Sequence, residues 1–546
     1  MEYDYIIVGA GTAGCVAADA LTQSGQNRVL LIEAGGKPSS PFVSIPAGFA
    51  KLFKSRLDWA FETVPQHGAG ECRIFVPRGR MLGGSANLNA QIHQWGHPAD
   101  YVAWADNGAP GWSWRDVAPH FEAMENVAGH AEPGRGRTGP MHVCVNPHAH
   151  HAALDFVEAA RAGAGSTTNS YNGEHYEGAW IAEIAHHGGK RFSAWDAFLK
   201  PAMRRRNLHV ITGCHVSRLI IDDGRAVGVE LTGEVVQKEL RARAGIVLAT
   251  GAIGSPTILM RSGLGPAAQL HRHGIKVVRD MPGVGANLHD HAMAVFSFPT
   301  LHTDTYKTAE KPLNLLRYIA LRQGPLASNA AEAIAFARSR PSLSAPDMEL
   351  IFAPFEWRNE ALDPPAIHAF SIGAALAHPK SRGSVALRDS DPLASPVIDF
   401  GLFTDSEGAD RFTMIEAVHW AHRVARSPAM ARHLMPIPDL SNHPEEVFDQ
   451  ACAVMQTVYH PAGTCRMGLD ADAVVAPDLS VHGIRGLWIG DASIMPQLPR
   501  GHPNAAVAMI GARAAAFAEA TAEGRPAISF ATHQTQGAAM KFRNMR

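Results

Sequence analysis

The feature that most constrains this chain is a glycine-spaced turn lodged between two apolar runs in its first 35 residues. Residues 4–8 are a Tyr/Ile/Val-rich run of strand character that ends in Gly9-Ala10-Gly11-Thr12-Ala13-Gly14. Residues 15–24 are small and apolar, as in a helix, and residues 28–32 form a second apolar run closed by Glu33 and Ala34. Strand, G-x-G-x-x-G turn, helix and strand in that order make the βαβ unit that binds dinucleotides. Gly9 permits the tight turn, Gly11 lets the backbone approach a pyrophosphate, and Gly14 lets helix and strand pack closely. Thr12 and Ala13 lie in the turn with the glycines, next to the helix N-terminus, whose unpaired N–H groups and dipole favour that anion. Glu33 is placed to accept hydrogen bonds from an adenosine ribose and to repel a 2′-phosphate, which argues against NADP. The motif does not separate FAD from NAD.

Composition narrows the classes further. Lys and Arg number 49 against 51 Asp and Glu, a net charge of −2, so nucleic acid and anionic membrane are poor candidate partners. At roughly 150 residues per domain, 546 residues suggest two to four domains' worth of chain. No uncharged apolar run approaches the ~20 residues of a membrane span, and the start Met1-Glu2-Tyr3-Asp4 lacks the basic, apolar pattern of a signal peptide. Six scattered cysteines without C-x-x-C spacing read as reduced thiols. The expectation is a cytoplasmic protein without stable membrane insertion.

Three later segments decide the cofactor by resemblance. Pro77-Arg78-Gly79-Arg80-Met81-Leu82-Gly83-Gly84-Ser85-Ala86-Asn87-Leu88-Asn89-Ala90 resembles the first signature of the glucose–methanol–choline (GMC) flavin oxidoreductases. Gly251-Ala252-Ile253-Gly254-Ser255-Pro256, continuing to Gly265, resembles the second. Near the end, Tyr459-His460-Pro461-Ala462-Gly463-Thr464-Cys465-Arg466-Met467-Gly468 and Gly490-Asp491-Ala492-Ser493 are similar to the family's closing motifs. Smaller matches include Asn287-Leu288-His289-Asp290-His291. The order and approximate spacing hold across nearly the whole chain.

The resemblance implies FAD as cofactor. It implies that Arg80, Gly84, Ser85, Asn89 and Ala90 line the flavin with Trp59 nearby, and that Val216 touches the adenine through its backbone. Asp491 and Ala492 hold the ribityl or pyrophosphate region, and a closing helix beginning near Asn504 and Ala505 faces the flavin pyrimidine. Some relatives attach FAD covalently through a histidine where this chain has Leu88, so the FAD is expected to be non-covalent. His460 matches the catalytic histidine, the base that takes the hydroxyl proton as the alcohol gives hydride to flavin N5; an imidazole suits that task near neutral pH. The family's second residue is His or Asn, and Asn504 in Gly501-His502-Pro503-Asn504 is preferred over His502.

The implied architecture is α/β: a Rossmann-type FAD domain of residues 1–158, 192–296 and 452–530, discontinuous in sequence. A substrate domain of residues 159–191 and 297–451 should form an antiparallel sheet backed by helices, and residues 531–546 a polar tail of disordered character. Residues 207–211, 216–222 and 226–231 read as an antiparallel excursion, and 347–352, 367–376 and 384–387 as strands; 406–426 has helical periodicity. The implied function is oxidation of a primary alcohol to the aldehyde, with oxygen or a quinone-type compound as acceptor. A hydroxynitrile lyase with spectator FAD is the alternative. Phe355, Trp357 and Phe370 suit an aryl or furanic alcohol, while Glu356 beside Trp357 leaves a choline cage open. His148, His150 and His151 read as a solvated loop, with no cysteine or acid nearby to complete a ligand set. His186-His187 and His289-Asp290-His291 read as structural. No metal is expected.

Overall fold

Runs of aliphatic and β-branched residues without polar alternation are strands buried on both faces. Val29–Glu33 is buried throughout and Tyr3–Val8 nearly so. In the computed structural model, which describes residues 2–129, 132–162, 170–173, 176–233 and 237–525, these strands centre a parallel sheet. Its order is Leu208–Thr212, Val29–Glu33, Tyr3–Val8, Glu239–Leu248 and Leu487–Ile489, with Ile6 between Leu30 and Ile246. Truncating a side chain such as Leu30 to alanine here would cost about 2–5 kcal/mol.

The first half of Glu239–Leu248 pairs antiparallel with Arg225–Thr232, which pairs antiparallel with His215–Asp222. The expected excursion is therefore present but shorter at its start: residues 207–211 belong to Leu208–Thr212, the parallel edge strand of the main sheet. Helix Thr12–Thr22 packs on this sheet and against Asn504–Ala522, so segments 492 positions apart meet. Asn504–Ala522 is long and apolar enough to cross a membrane, but 72% of its 18-residue apolar window is buried within the fold. Its Arg513 stacks 4.0 Å above the Trp112 ring. All six cysteines are free.

A six-stranded antiparallel sheet forms the second layer system, in the order Met455–Thr457, Ala292–Pro299, Ala369–Leu376, Met348–Ala353, Ala333–Ala337 and Gly178–Ile181. Strand period sorts its side chains. Met348, Leu350 and Phe352 join Phe370 and Ile372 against helices His151–Arg161 and Ala409–Ala425, where Phe156, Met414 and Val418 fill the core. The alternate residues Ile351, Ala353, Met293, Val295 and Gly373 face a cleft shared with the parallel sheet. Glu349 is on the same strand face and fully buried. The segment boundaries expected at 158, 296 and 452 fall inside His151–Arg161, Ala292–Pro299 and Pro444–Ala453. Residues 384–387 contribute Ser384–Ala386, which pairs with Val397–Asp399 in a separate two-stranded ribbon. The tail, 531–546, lies outside the described residues.

Candidate active site

Every strand of the parallel sheet ends at the same cleft. Gly9, with φ of +96°, turns the chain out of its first strand, and a Cβ on Gly14 would sit 1.9 Å from the Gly9 carbonyl oxygen. A Cβ on Gly11 would meet nothing nearer than 4.0 Å, whereas one on Gly84 would lie 2.6 Å from Gly11 Cα. Two bare backbones thus touch at the cleft floor and leave the space above Gly11 open. No side chain caps helix Thr12–Thr22, so its first-turn N–H groups are available to an anion. Gln91 Oε1 is buried beside the cleft without a hydrogen-bond partner. Open room, free donors and an orphaned acceptor fit a dinucleotide.

Most of the expected cofactor residues line this cleft. Gly9, Gly11, Thr12, Ala13, Glu33, Ala34, Trp59, Gly84, Ser85, Asn89, Ala90, Val216, Asp491, Ala492 and Asn504 border it, whereas Gly14, Arg80 and Ala505 do not. Arg80 instead stacks its guanidinium 4.7 Å from the Trp59 ring centre, which braces that ring. Glu33 accepts N–H bonds from Ala10 (2.9 Å) and Gly35 (2.7 Å), so it also fixes the glycine turn. Asp491 accepts bonds from Gly251 N–H, Ser255 Oγ and Ser493 N–H, tying three segments together at the cleft wall. Burial raises the pKa of both carboxyls against these bonds. Leu88 is buried at the cleft.

His460 and its surroundings form the reactive end. Tyr459, at φ +64°, turns the chain so that His460 lines the cleft, a backbone state costly for a non-glycine residue. Arg78 holds the Tyr459 carbonyl from below. Asp290 Oδ1 accepts the backbone N–H of both His291 and His460 at 2.7 Å. His460 Nδ1 lies 3.1 Å from His291 Nδ1, which leaves Nε2 for the cleft. The His502 ring meets His460 edge-on at 4.8 Å between centres. His502 Nε2–H donates to Glu349 Oε1 at 3.0 Å, and its backbone N–H to Gln94 Oε1 at 2.7 Å. Burial, with His502, His291 and Arg78 nearby, pushes the His460 pKa well below the usual imidazole value. Burial pushes Asp290 the other way, to about 7.

The side chain packed against the His460 ring is that of His502, whereas Asn504, the residue the sequence prefers, lines the same cleft and is engaged elsewhere. Its Oδ1 accepts a bond from Thr12 Oγ1 at 2.8 Å, which ties the start of the last helix to the start of the first. The turn before it explains the exchange. Gly501 sits at φ +81°, where a Cβ would fall 2.1 Å from Gln94 Oε1, and this tight corner directs His502 into the cleft. His291, Asp290, Glu349 and Gln94 were missed as site residues. Only the His289-Asp290-His291 match hinted at any of them.

Around the histidines the wall is apolar. Phe49, Phe53, Phe355, Trp357, Tyr459 and Met293 line it, and Glu33 and Asp491 are the only carboxylates among the described lining residues. Phe370 departs from expectation: it lies in the core behind the sheet, fully buried. Glu356 turns away and accepts the N–H groups of Ala366 and Ile367, so no acid from that position completes a cage.

Comparison with known proteins agrees with this construction. The two family models described as GMC oxidoreductase match residues 3–293 and 379–511. An uncharacterized GMC-type oxidoreductase of Mycobacterium tuberculosis is 41% identical over 94% of this chain and 98% of its own length. An alcohol dehydrogenase [acceptor] of Pseudomonas putida is 35% identical over 94% and 95%. The crystal structure of pyridoxine 4-oxidase from Mesorbium loti superposes with a TM-score of 0.86 at 30% identity, covering 94% of this chain and 98% of that one.

Proposed function

As a member of the GMC oxidoreductase family, to which this chain belongs, it is an FAD-dependent oxidoreductase, and we propose that it oxidises an uncharged primary alcohol to the aldehyde. The observation that carries this reading is the edge-on pair of His460 and His502, 4.8 Å apart, in a cleft walled by aromatic and aliphatic side chains. FAD, when bound by the cleft's glycine turn, first-helix N-terminus and Glu33, supplies the hydride acceptor. The residues of the chain manage the proton.

An alcohol releases hydride readily only as its hydroxyl proton leaves. His460 is the base in this reading. For Nε2 to accept that proton, Nδ1 must carry one of its own, and His291 Nδ1 at 3.1 Å is the acceptor that fixes this tautomer. A buried, neutral imidazole stands ready to accept. Charging it is costly in an apolar wall, and the nearby Glu349 carboxylate lowers that cost. His502, oriented by Glu349 and Gln94, sets its ring edge-on beside His460 and bounds the place where the alcohol oxygen sits. Asn504 keeps the last helix on the first, a role toward cofactor and not toward the proton.

The lack of a carboxylate among the described residues of the apolar wall supports a neutral substrate over a cationic amino alcohol. Oxygen or a quinone-type compound is the final electron acceptor. Anaerobic mixing with benzylic, furanic, aliphatic and amino alcohols, followed by flavin absorbance, tests the reading. Bleaching by an uncharged alcohol is expected, slowed roughly 10²–10⁴-fold by His460→Ala, the usual share of a general base. Bleaching by amino alcohols alone would overturn the substrate class. Cyanide release from mandelonitrile without bleaching would point to the lyase. Readmitting air then distinguishes oxygen from other acceptors.

A further inference from the structure

On the far side of the antiparallel sheet from the cleft, the fold gathers histidines that the sequence scatters. His150 and His151 open helix His151–Arg161, His302 and Asp304 lie in the loop after Ala292–Pro299, and His433 follows helix Pro428–Ala431. One ring nitrogen from each of His151, His302 and His433 lies within 4.8 Å of the other two. His148, grouped with them in the sequence, turns instead toward His186.

The His433 ring is hydrogen-bonded to a carboxylate, and His302 has one within ion-pair distance whose oxygen lies nearer still to His150, at 3.2 Å. His302 Nε2 and His433 Nδ1 face one another at 2.8 Å. The opposite nitrogen of His433 lies 2.5 Å from Asp155 Oδ2, and that of His302 3.7 Å from Asp304 Oδ1. Arg432 holds the other Asp155 oxygen. A carboxylate behind a ligating imidazole is the outer-shell arrangement that fixes ring tautomer and raises ligand basicity at metal sites. His151, with a half-exposed side chain at the first position of its helix, has the freedom to swing onto the pair.

We propose that His151, His302 and His433 bind a divalent first-row transition ion of the zinc type, with Asp155 and Asp304 as outer-shell partners. Imidazole nitrogens suit zinc, nickel and copper over calcium or magnesium. Zinc–nitrogen bonds of about 2.0–2.1 Å in a tetrahedron set the nitrogens roughly 3.3 Å apart, so the facing pair need open only about half an ångström. The ion takes the place of the proton they share, and the fourth position faces solvent beside His151. The site clamps three segments that cover the back of the substrate sheet.

The test uses the full FAD-loaded chain after dialysis against EDTA, titrated with zinc chloride. One zinc per chain is expected to be retained at low micromolar free zinc, with a rise in thermal midpoint. His151→Ala, at an exposed helix start that folding tolerates, and His302→Ala should each weaken retention at least tenfold and remove the zinc-dependent part of that rise. His67→Ala, on another exposed surface, should change neither. Failure of the parent chain to retain zinc, or equal retention and equal rise in both site variants, would overturn the proposal.

Discussion

Replacing Glu349 by glutamine tests the proton side of the mechanism most directly. The amide keeps the shape and can still accept His502 Nε2–H, so only the charge is removed. Glu349 Oε1 is 3.0 Å from His502, and the His502 and His460 rings are 4.8 Å apart. The other oxygen, Oε2, is buried without a hydrogen-bond partner. At about 7–8 Å from the His460 ring and an effective dielectric of about 20, the lost attraction for an arriving proton is about 2 kcal/mol. That corresponds to a roughly thirty-fold slower reduction of bound flavin by alcohol. The sign for pH follows from the same term. Without the carboxylate, protonated His460 is less stable, so the acid limb of kcat/KM against pH moves to lower pH while its plateau falls. Anaerobic stopped-flow over a pH series measures both, with flavin content as the check on folding. A plateau within two-fold of the parent and an unmoved acid limb would refute the account.

Three further outcomes are expected. Asn504→Ala loses one buried hydrogen bond to Thr12, so FAD should bind about 5–30-fold more weakly while the reduction rate at saturating alcohol stays within a few-fold. A rate collapse with FAD retention intact would return the catalytic role to Asn504. Acid precipitation should leave FAD in the supernatant, because Leu88 offers no atom for a covalent bond; flavin in the pellet would contradict this. Acidification from pH 7 to 5 should lower the thermal midpoint. His97, His120, His186 and His215 are held near 4 and His289 near 3, chiefly by burial. Their stabilising effect is full above about 6.5 and is lost as pH falls toward 4. Asp290, Glu332 and Glu360, raised to about 7 by burial, act oppositely over the same range but are fewer. Each unbalanced histidine adds at most about 1.4 kcal/mol per pH unit, and a midpoint that rises on acidification would refute the balance.

Local chemistry was legible and long-range juxtaposition was not. The βαβ unit could be read because its turn, helix and two strands lie within 33 residues and each element has its own periodicity. Strand positions such as Met348–Ala353 followed from composition, yet which face carried Phe370 and which carried Glu349 depended on the register of the whole sheet. The choice between His502 and Asn504 turned on one corner at Gly501, whose positive φ has no signature beyond the glycine itself. His291 reaches His460 from 169 positions away, and Glu349 reaches His502 from a strand of the other sheet. The histidines behind the sheet join residues from three elements that no spacing rule connects.

The Thr12–Asn504 bond spans 492 positions, and this has a consequence for biogenesis. The glycine turn exists as soon as the first strands pair, but one side of its cleft is closed by Asn504–Ala522, which is synthesised much later. Closing so long a loop costs entropy that only the completed contact recovers. A nascent chain stopped short of residue 504 would hold both sheets and still leave the dinucleotide half enclosed. Cofactor capture is therefore expected to follow synthesis of residue 504, so that flavin supply acts on chains that already hold both sheets.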